Sequence, residues 1–138
     1  MILYYSLDDG SHDIEHAYET DGGYDLRCVH GATIESFGSH VFDTGVHLEI
    51  PRAYAGLLVS KSGLNVVHSL TGTGLIDSGF TGSVKVRVYN LGERAYRFED
   101  GDKVVQIVFV PVMNPSLVRR KFVLGGERGD NGYGSTGR

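Results

Sequence analysis

The octapeptide Ser83-Val84-Lys85-Val86-Arg87-Val88-Tyr89-Asn90 alternates apolar and polar side chains with period two, so its valines share one face while Lys85 and Arg87 share the other. That pattern specifies a half-buried antiparallel strand. Residues 2–5, 24–29, 41–50, 54–59, 96–98, 104–112 and 117–124 give further strand candidates, separated by Asn-Leu-Gly, Glu-Asp-Gly-Asp and proline-containing turns. Helical periodicity is confined to a short piece at 62–67. A doubly wound α/β fold needs crossover helices of about ten residues or more, and this chain offers none. The expected fold is all-β, a sandwich or jelly roll.

With 138 residues, 41% of them hydrophobic and 22% charged, the chain can build one ordinary globular core, which excludes a multidomain enzyme and a disordered protein. Cys28 is the lone cysteine, so it closes no intramolecular disulfide, and the six scattered histidines complete no four-ligand zinc pattern. A reducing, cytoplasmic setting is expected. The apolar stretch 104–112 is interrupted by Gln106 and falls far short of the roughly 20 residues that cross a bilayer, so no membrane association is expected. A formal charge of -4 argues against a nucleic-acid footprint. A small anionic ligand would need a local cluster of donors or a bridging metal.

Glycine supplies 20 of the 138 residues, against a usual share of roughly 7%. The glycines gather near Gly22-Gly23, in 72–82 and in 125–137. None forms a Walker sequence or a strand-linked GxGxxG. Lys61-Ser62-Gly63 instead places a cation, a hydroxyl and a free amide in succession, a set able to hold phosphate oxygens. Leu75-Ile76 delivers Asp77 to the mouth of the turn Ser78-Gly79-Phe80-Thr81-Gly82. On local sequence Asp77 reads equally as a turn aspartate, Tyr24 and Phe80 as core aromatics, Asp102 as a turn cap, His68 as a loop residue and Cys28 as a small buried hydrophobe. Gln106, a lone amide among valines and isoleucine, needs a polar partner. Residues 125–138 form either an unstructured end or a flexible flap that carries an aromatic ring, hydroxyls and arginines.

Taken in order, five segments resemble the motifs of the trimeric dUTP diphosphatases (dUTPases) of bacteria and their phages. They are Gly23-Tyr24-Asp25-Leu26, Ser60-Lys61-Ser62-Gly63-Leu64, Gly74-Leu75-Ile76-Asp77-Ser78-Gly79-Phe80-Thr81-Gly82, Gly101-Asp102-Lys103-Val104-Val105-Gln106, and Arg128-Gly129-Asp130-Asn131-Gly132-Tyr133-Gly134-Ser135-Thr136-Gly137. The resemblance implies a jelly-roll-like β barrel at 1–124, a flap at 125–138, and a homotrimer whose active sites are shared between subunits. It implies hydrolysis of dUTP to dUMP and pyrophosphate with Mg²⁺. Asp77 would activate the water and contact the 3'-hydroxyl. Asp25 would hold the metal through water. Lys61, Ser62, Gly63 and Gln106 would bind phosphates, Leu75 and Ile76 would lie at the nucleoside, and Phe80 would pack on the sugar. Arg128, Tyr133, Gly134, Ser135 and Thr136 would close over base and triphosphate.

Several positions depart from the family pattern. Lys61 stands where arginine is usual and loses the planar fork. Phe80 stands for a tyrosine and Tyr133 for a phenylalanine. The segment 65–73 is short and lacks an asparagine that reads uracil, so base recognition is expected from main-chain atoms in 70–74. Two alternatives stand beside the diphosphatase. A dCTP deaminase shares the fold, but 65–74 contains no acidic residue for proton transfer at the base. A regulatory protein on the same scaffold would use the nucleotide site and trimer surface to hold a protein partner.

Overall fold

In the computed structural model, which describes residues 1–137, the chain runs β1 (Tyr4–Leu7), β2 (Tyr24–Arg27), β3 (Ala32–Ile34), β4 (Ser39–Asp43), β5 (Val46–Glu49), β6 (Tyr54–Val59), α1 (Ser62–His68), β7 (Leu70–Thr71), β8 (Gly74–Asp77), β9 (Lys85–Asn90), β10 (Tyr96–Phe98) and β11 (Lys103–Pro111). All pairings are antiparallel: a four-stranded sheet β2-β11-β6-β8, a three-stranded sheet β4-β9-β7, and the two-stranded pairs β1-β5 and β10-β3. No helix among the described residues is long and apolar enough to cross a membrane.

The period-two reading of β9 translates directly into burial. Val84, Val86 and Val88 face a core that also takes Leu26, Ile34, Phe42, Leu48, Leu58, Val105 and Ile107, while Lys85, Arg87 and Tyr89 face outward. Phe42 and Phe98 meet edge to face, with ring centroids 4.9 Å apart.

The strand expected at 41–50 is two strands. At Thr44 the hydroxyl donates to the Val84 carbonyl oxygen at 2.8 Å, and Gly45 turns with φ +64°, taking the chain from β4, paired with β9, to β5, paired with β1. A Cβ on Gly45 would lie 1.7 Å from Ser11 Oγ, so both the dihedral and the contact require glycine. The strand expected at 117–124 does not form. Leu117, Val118, Phe122, Val123 and Leu124 are all exposed, and among the described residues no neighbouring strand takes their hydrogen bonds, so the apolar run has nothing to pair with.

Asn90 ends β9 fully buried and is the polar pin of this end of the barrel. Its Nδ2 donates to the carbonyl oxygens of Ile34 (2.9 Å) and Arg94 (2.8 Å), and its Oδ1 accepts from Gly92 N at 2.9 Å. Asn90→Ala would strand these groups, and we expect a loss of about 2–4 kcal/mol. Chemical denaturation at fixed protein concentration measures it; a loss below about 0.5 kcal/mol would show that water replaces the amide there.

Candidate active site

The register of the four-stranded sheet creates the first half of the site. Gln106 on β11 lies opposite Asp25 of β2 on one side and Val59 of β6 on the other. The chain then leaves β6 through Ser60 and Lys61 into α1, so three residues far apart in sequence converge. Gln106 Nε2 donates to the Ser60 carbonyl oxygen at 3.2 Å. Gly23 packs against the same amide, where a Cβ would come within 2.7 Å of Gln106 Oε1. The polar partner that Gln106 needs is therefore supplied within the chain.

Asp25, only 5% exposed, accepts from Lys61 Nζ on one carboxylate oxygen and from Lys103 Nζ at 2.6 Å on the other. Burial pushes its carboxyl up, but the hydrogen bonds from Lys103 and then Lys61 outweigh that and hold it below the usual carboxylate range. The charges continue outward: Glu15 pairs with Arg27 at 2.7 Å and lies 4.0 Å from Lys103. Arg27, Lys61, Gly63, Leu64, Asp102 and Lys103 are among the residues lining a cavity of about 490 Å³ beside α1, a setting suited to phosphate oxygens. Ser62 and Gly63 open α1 and are exposed. His68 closes it, with its ring centroid 4.8 Å from that of Tyr96.

The second half lies at the other end of β6. Asp77, exposed at the end of β8, is opposite Ala55, four positions from the Val59 that faces Gln106. At about 3.3 Å per residue that is roughly 13 Å along the strand. The turn after it is closed by Phe80 N donating to the Asp77 carbonyl oxygen at 3.1 Å, with Gly79 at φ +90°. Phe80 is 46% exposed and its ring lies over Gly82, where a Cβ would be 2.7 Å from Cζ. Leu75 points outward at 59% exposure, whereas Ile76 is in the core and presents only main-chain atoms to a ligand.

The third part, the tail, stands apart from both. Its hydrogen bonds are local turns, among them Arg128 Nε to the Asn131 carbonyl oxygen at 2.6 Å and Ser135 N to the Gly132 carbonyl oxygen at 3.1 Å. Tyr133, Gly134, Ser135 and Thr136 are exposed, and Tyr133 and Gly134 have positive φ of 46° and 97°. One chain thus gathers Asp25, Lys61 and Gln106 and holds Asp77 and Phe80 at a distance, and among the described residues the tail's hydrogen bonds stay within the tail. Lys103 and Arg27 escaped the sequence reading. Lys103 lies inside the fourth motif, and Arg27 shares a strand face with Asp25, so spacing alone marked both.

A family model described as dUTPase matches residues 9–137. A deoxyuridine 5'-triphosphate nucleotidohydrolase of Tropheryma whipplei (strain Twist) is 32% identical over 133 residues, covering 94% of this chain and 91% of that one. A mutant of the Staphylococcus bacteriophage 80alpha dUTPase, solved with dUpNHpp, superposes with a TM-score of 0.91 at 28% identity and 99% coverage of both chains. A mutant dUTPase of phage phi11 of S. aureus, described with a structural Mg(II) ion, gives 0.81 at 26% identity, covering 88% of this chain and 98% of that one. The fold, a jelly-roll β barrel with one short helix, is that of a nucleotide hydrolase. The chain belongs to the dUTPase family, and its activity is dUTP diphosphatase.

Because the Asp25 carboxyl is held low, its contribution to stability is fully present above the ordinary carboxyl pKa of about 3.9 and is lost as pH falls through the depressed value. Asp25→Asn leaves two lysines without their shared anion, and should cost about 2 kcal/mol at neutral pH. It should also flatten the fall of the denaturation midpoint below about pH 5. An unchanged acid slope would show that the lysines do not hold this charge.

Proposed function

We propose that dUTP hydrolysis is carried by a site assembled from the barrel of one subunit, the Asp77 loop of another and a third subunit's tail in a homotrimer. The observation that carries this reading is the separation within one chain of Asp77 from the Lys61–Gln106 cluster, with the tail bound to neither. Association brings such parts together without folding the chain differently.

In this reading Asp77 accepts a proton from a water, whose oxygen bonds to the α-phosphorus. The bond from that phosphorus to the α,β-bridging oxygen breaks, and pyrophosphate leaves dUMP behind. Negative charge grows on the phosphoryl oxygens, where Lys61, Ser62, the Gly63 amide and Gln106 donate. Lys61 releases one of Asp25's contacts to do so, and Lys103 keeps the other. Phe80 packs on the deoxyribose and leaves no room for a 2'-hydroxyl. Main-chain atoms in 70–74 read the uracil edge, with Leu75 and Ile76 at the nucleoside. Residues 125–138 act as a flap, with Tyr133 over the base and Arg128, Gly134, Ser135 and Thr136 on the triphosphate, expelling water from around the phosphorus.

Among the described residues no three acidic, histidine or cysteine side chains cluster as metal ligands, and Asp25 already accepts from two ammonium groups. That donor set does not fit a protein cage, but it fits Mg²⁺, which retains waters and takes its other ligands from substrate phosphates. Asp25 would meet the ion's water shell. When bound, the ion neutralises phosphate charge and polarises the phosphoryl group. A reducing cytoplasmic setting suits the buried free thiol of Cys28.

The test is pyrophosphate release from dUTP, dCTP, dTTP and UTP, with and without Mg²⁺, by the untagged chain, by Asp77→Asn and by a chain ending at Leu124. We expect turnover of dUTP alone and dependence on the metal. Asp77→Asn should lower kcat by about 10²- to 10⁴-fold, and the truncated chain should stay folded but inactive. Undiminished turnover by Asp77→Asn would remove that residue from its role, and ammonia release from dCTP would establish the deaminase instead.

A further inference from the structure

His47 lies on β5 between two groups that can only accept. Its Nδ1 is 2.7 Å from the main-chain oxygen of Thr81, and its Nε2 is 3.0 Å from Asp8 Oδ1. A neutral imidazole carries one N–H and offers a lone pair at its other nitrogen, which would then face an oxygen lone pair. Both contacts are satisfied together only when the ring holds two protons.

The carbonyl that His47 grips belongs to the residue after Phe80. Entry to that loop is fixed by β8 pairing with β6, and exit by Val84 N donating to the Val46 carbonyl oxygen at 2.8 Å. Ser83 Oγ donates to Asp43 just before the exit. Between these points, Asp77 to Gly82 is exposed or half-exposed, and Gly79 at φ +90° leaves it a pliant backbone. Among the described residues, His47 is the side chain from another element that hydrogen-bonds inside this stretch. It also ties the loop to Asp8, and so to the chain leaving β1.

We propose that His47 is a positioning residue that ties the Asp77–Phe80 loop, through the Thr81 carbonyl, to Asp8 only as an imidazolium, so that dUTP handling weakens when the ring loses a proton and that tie is broken. The inference rests on the roles given above to Asp77 and Phe80. The charged groups around the ring are Asp8 from the β1 side, Asp43 at the end of β4 with Lys85 of β9 at 3.5 Å from it, and Glu49 on β5 itself. Tyr4, Tyr5 and Ser6 of β1 complete the wall of the same cavity, of about 190 Å³. The Thr81 carbonyl first, then Asp8, hold the imidazolium above its ordinary range, with Asp43 adding to them. A raised value means the clamp is complete below the ordinary histidine pKa of about 6.5 and opens as pH rises through the folded-state value.

The test uses the full untagged chain and measures KM and kcat for dUTP from about pH 5.5 to about pH 9, in wild type, His47→Gln and Asp8→Asn. In parallel, NMR follows the His47 ring and the amides of Phe80 and Gly82. Wild type should show KM rising about threefold or more along one basic limb, as a charge-assisted hydrogen bond is lost. His47→Gln should hold a raised KM throughout without that limb, and Asp8→Asn should move the limb to lower pH. The loop amides should titrate together with the ring. A limb retained in His47→Gln, or loop amides that ignore the ring's titration, would overturn the proposal. Amides that follow the ring while Asp77→Asn turns over normally would instead fault the role given to the loop.

Discussion

A nearly buried carboxylate between two ammonium groups organises one end of the four-stranded sheet. Asp25 would be expensive to bury alone, and Lys61 and Lys103 together hold it ionised where β2, β11 and the exit from β6 meet. That junction fixes Gln106 across from Asp25, brings Gly23 against the Gln106 amide, and places Lys61 at the threshold of α1. With one more cation than it needs, the carboxylate can lend one lysine to a phosphate and still be paired. The lysine in place of the usual arginine suits this exchange, because a flexible point charge moves between anions more readily than a rigid fork.

The barrel supplies rigidity at this junction and withholds it elsewhere. Asp77 sits at the exposed end of β8, about 13 Å away along β6, and among the described residues the tail's hydrogen bonds stay within the tail. The run Leu117 to Leu124 exposes five large apolar side chains in the isolated chain. In the proposed trimer, neighbours would complete each other's sites, which would account for both the distance and the exposure. Specificity would then rest on main-chain atoms and on the Phe80 ring, whose position depends on how firmly its loop is held.

Local pattern made much of this legible. The valine alternation named β9 and its inward face, and β6 and β10 fall at 54–59 and 96–98 as read. The five segments in order carried the family, since each glycine-bounded piece is short enough to survive as sequence. What escaped reading depended on partners distant in the chain. Thr44-Gly45 splits the stretch 41–50 because the Thr44 hydrogen bonds go to Val84, just ahead of β9 and 40 residues away. The stretch 117–124 has strand composition but no strand beside it. Arg27, Glu15 and Lys103 become a charge cluster only once β2 and β11 are in register, and His47 meets a carbonyl 34 residues away.

The most direct test of a site divided among chains is complementation between two inactive ones. Asp77→Asn chains and chains ending at Leu124 are co-refolded, mixed trimers are verified by native mass spectrometry, and pyrophosphate release from dUTP is measured. Recovered turnover in the mixed trimers is the predicted result, because some sites then receive an intact Asp77 from one chain and an intact tail from another. Verified mixed trimers that remain inert would contradict the account and place each site within a single chain.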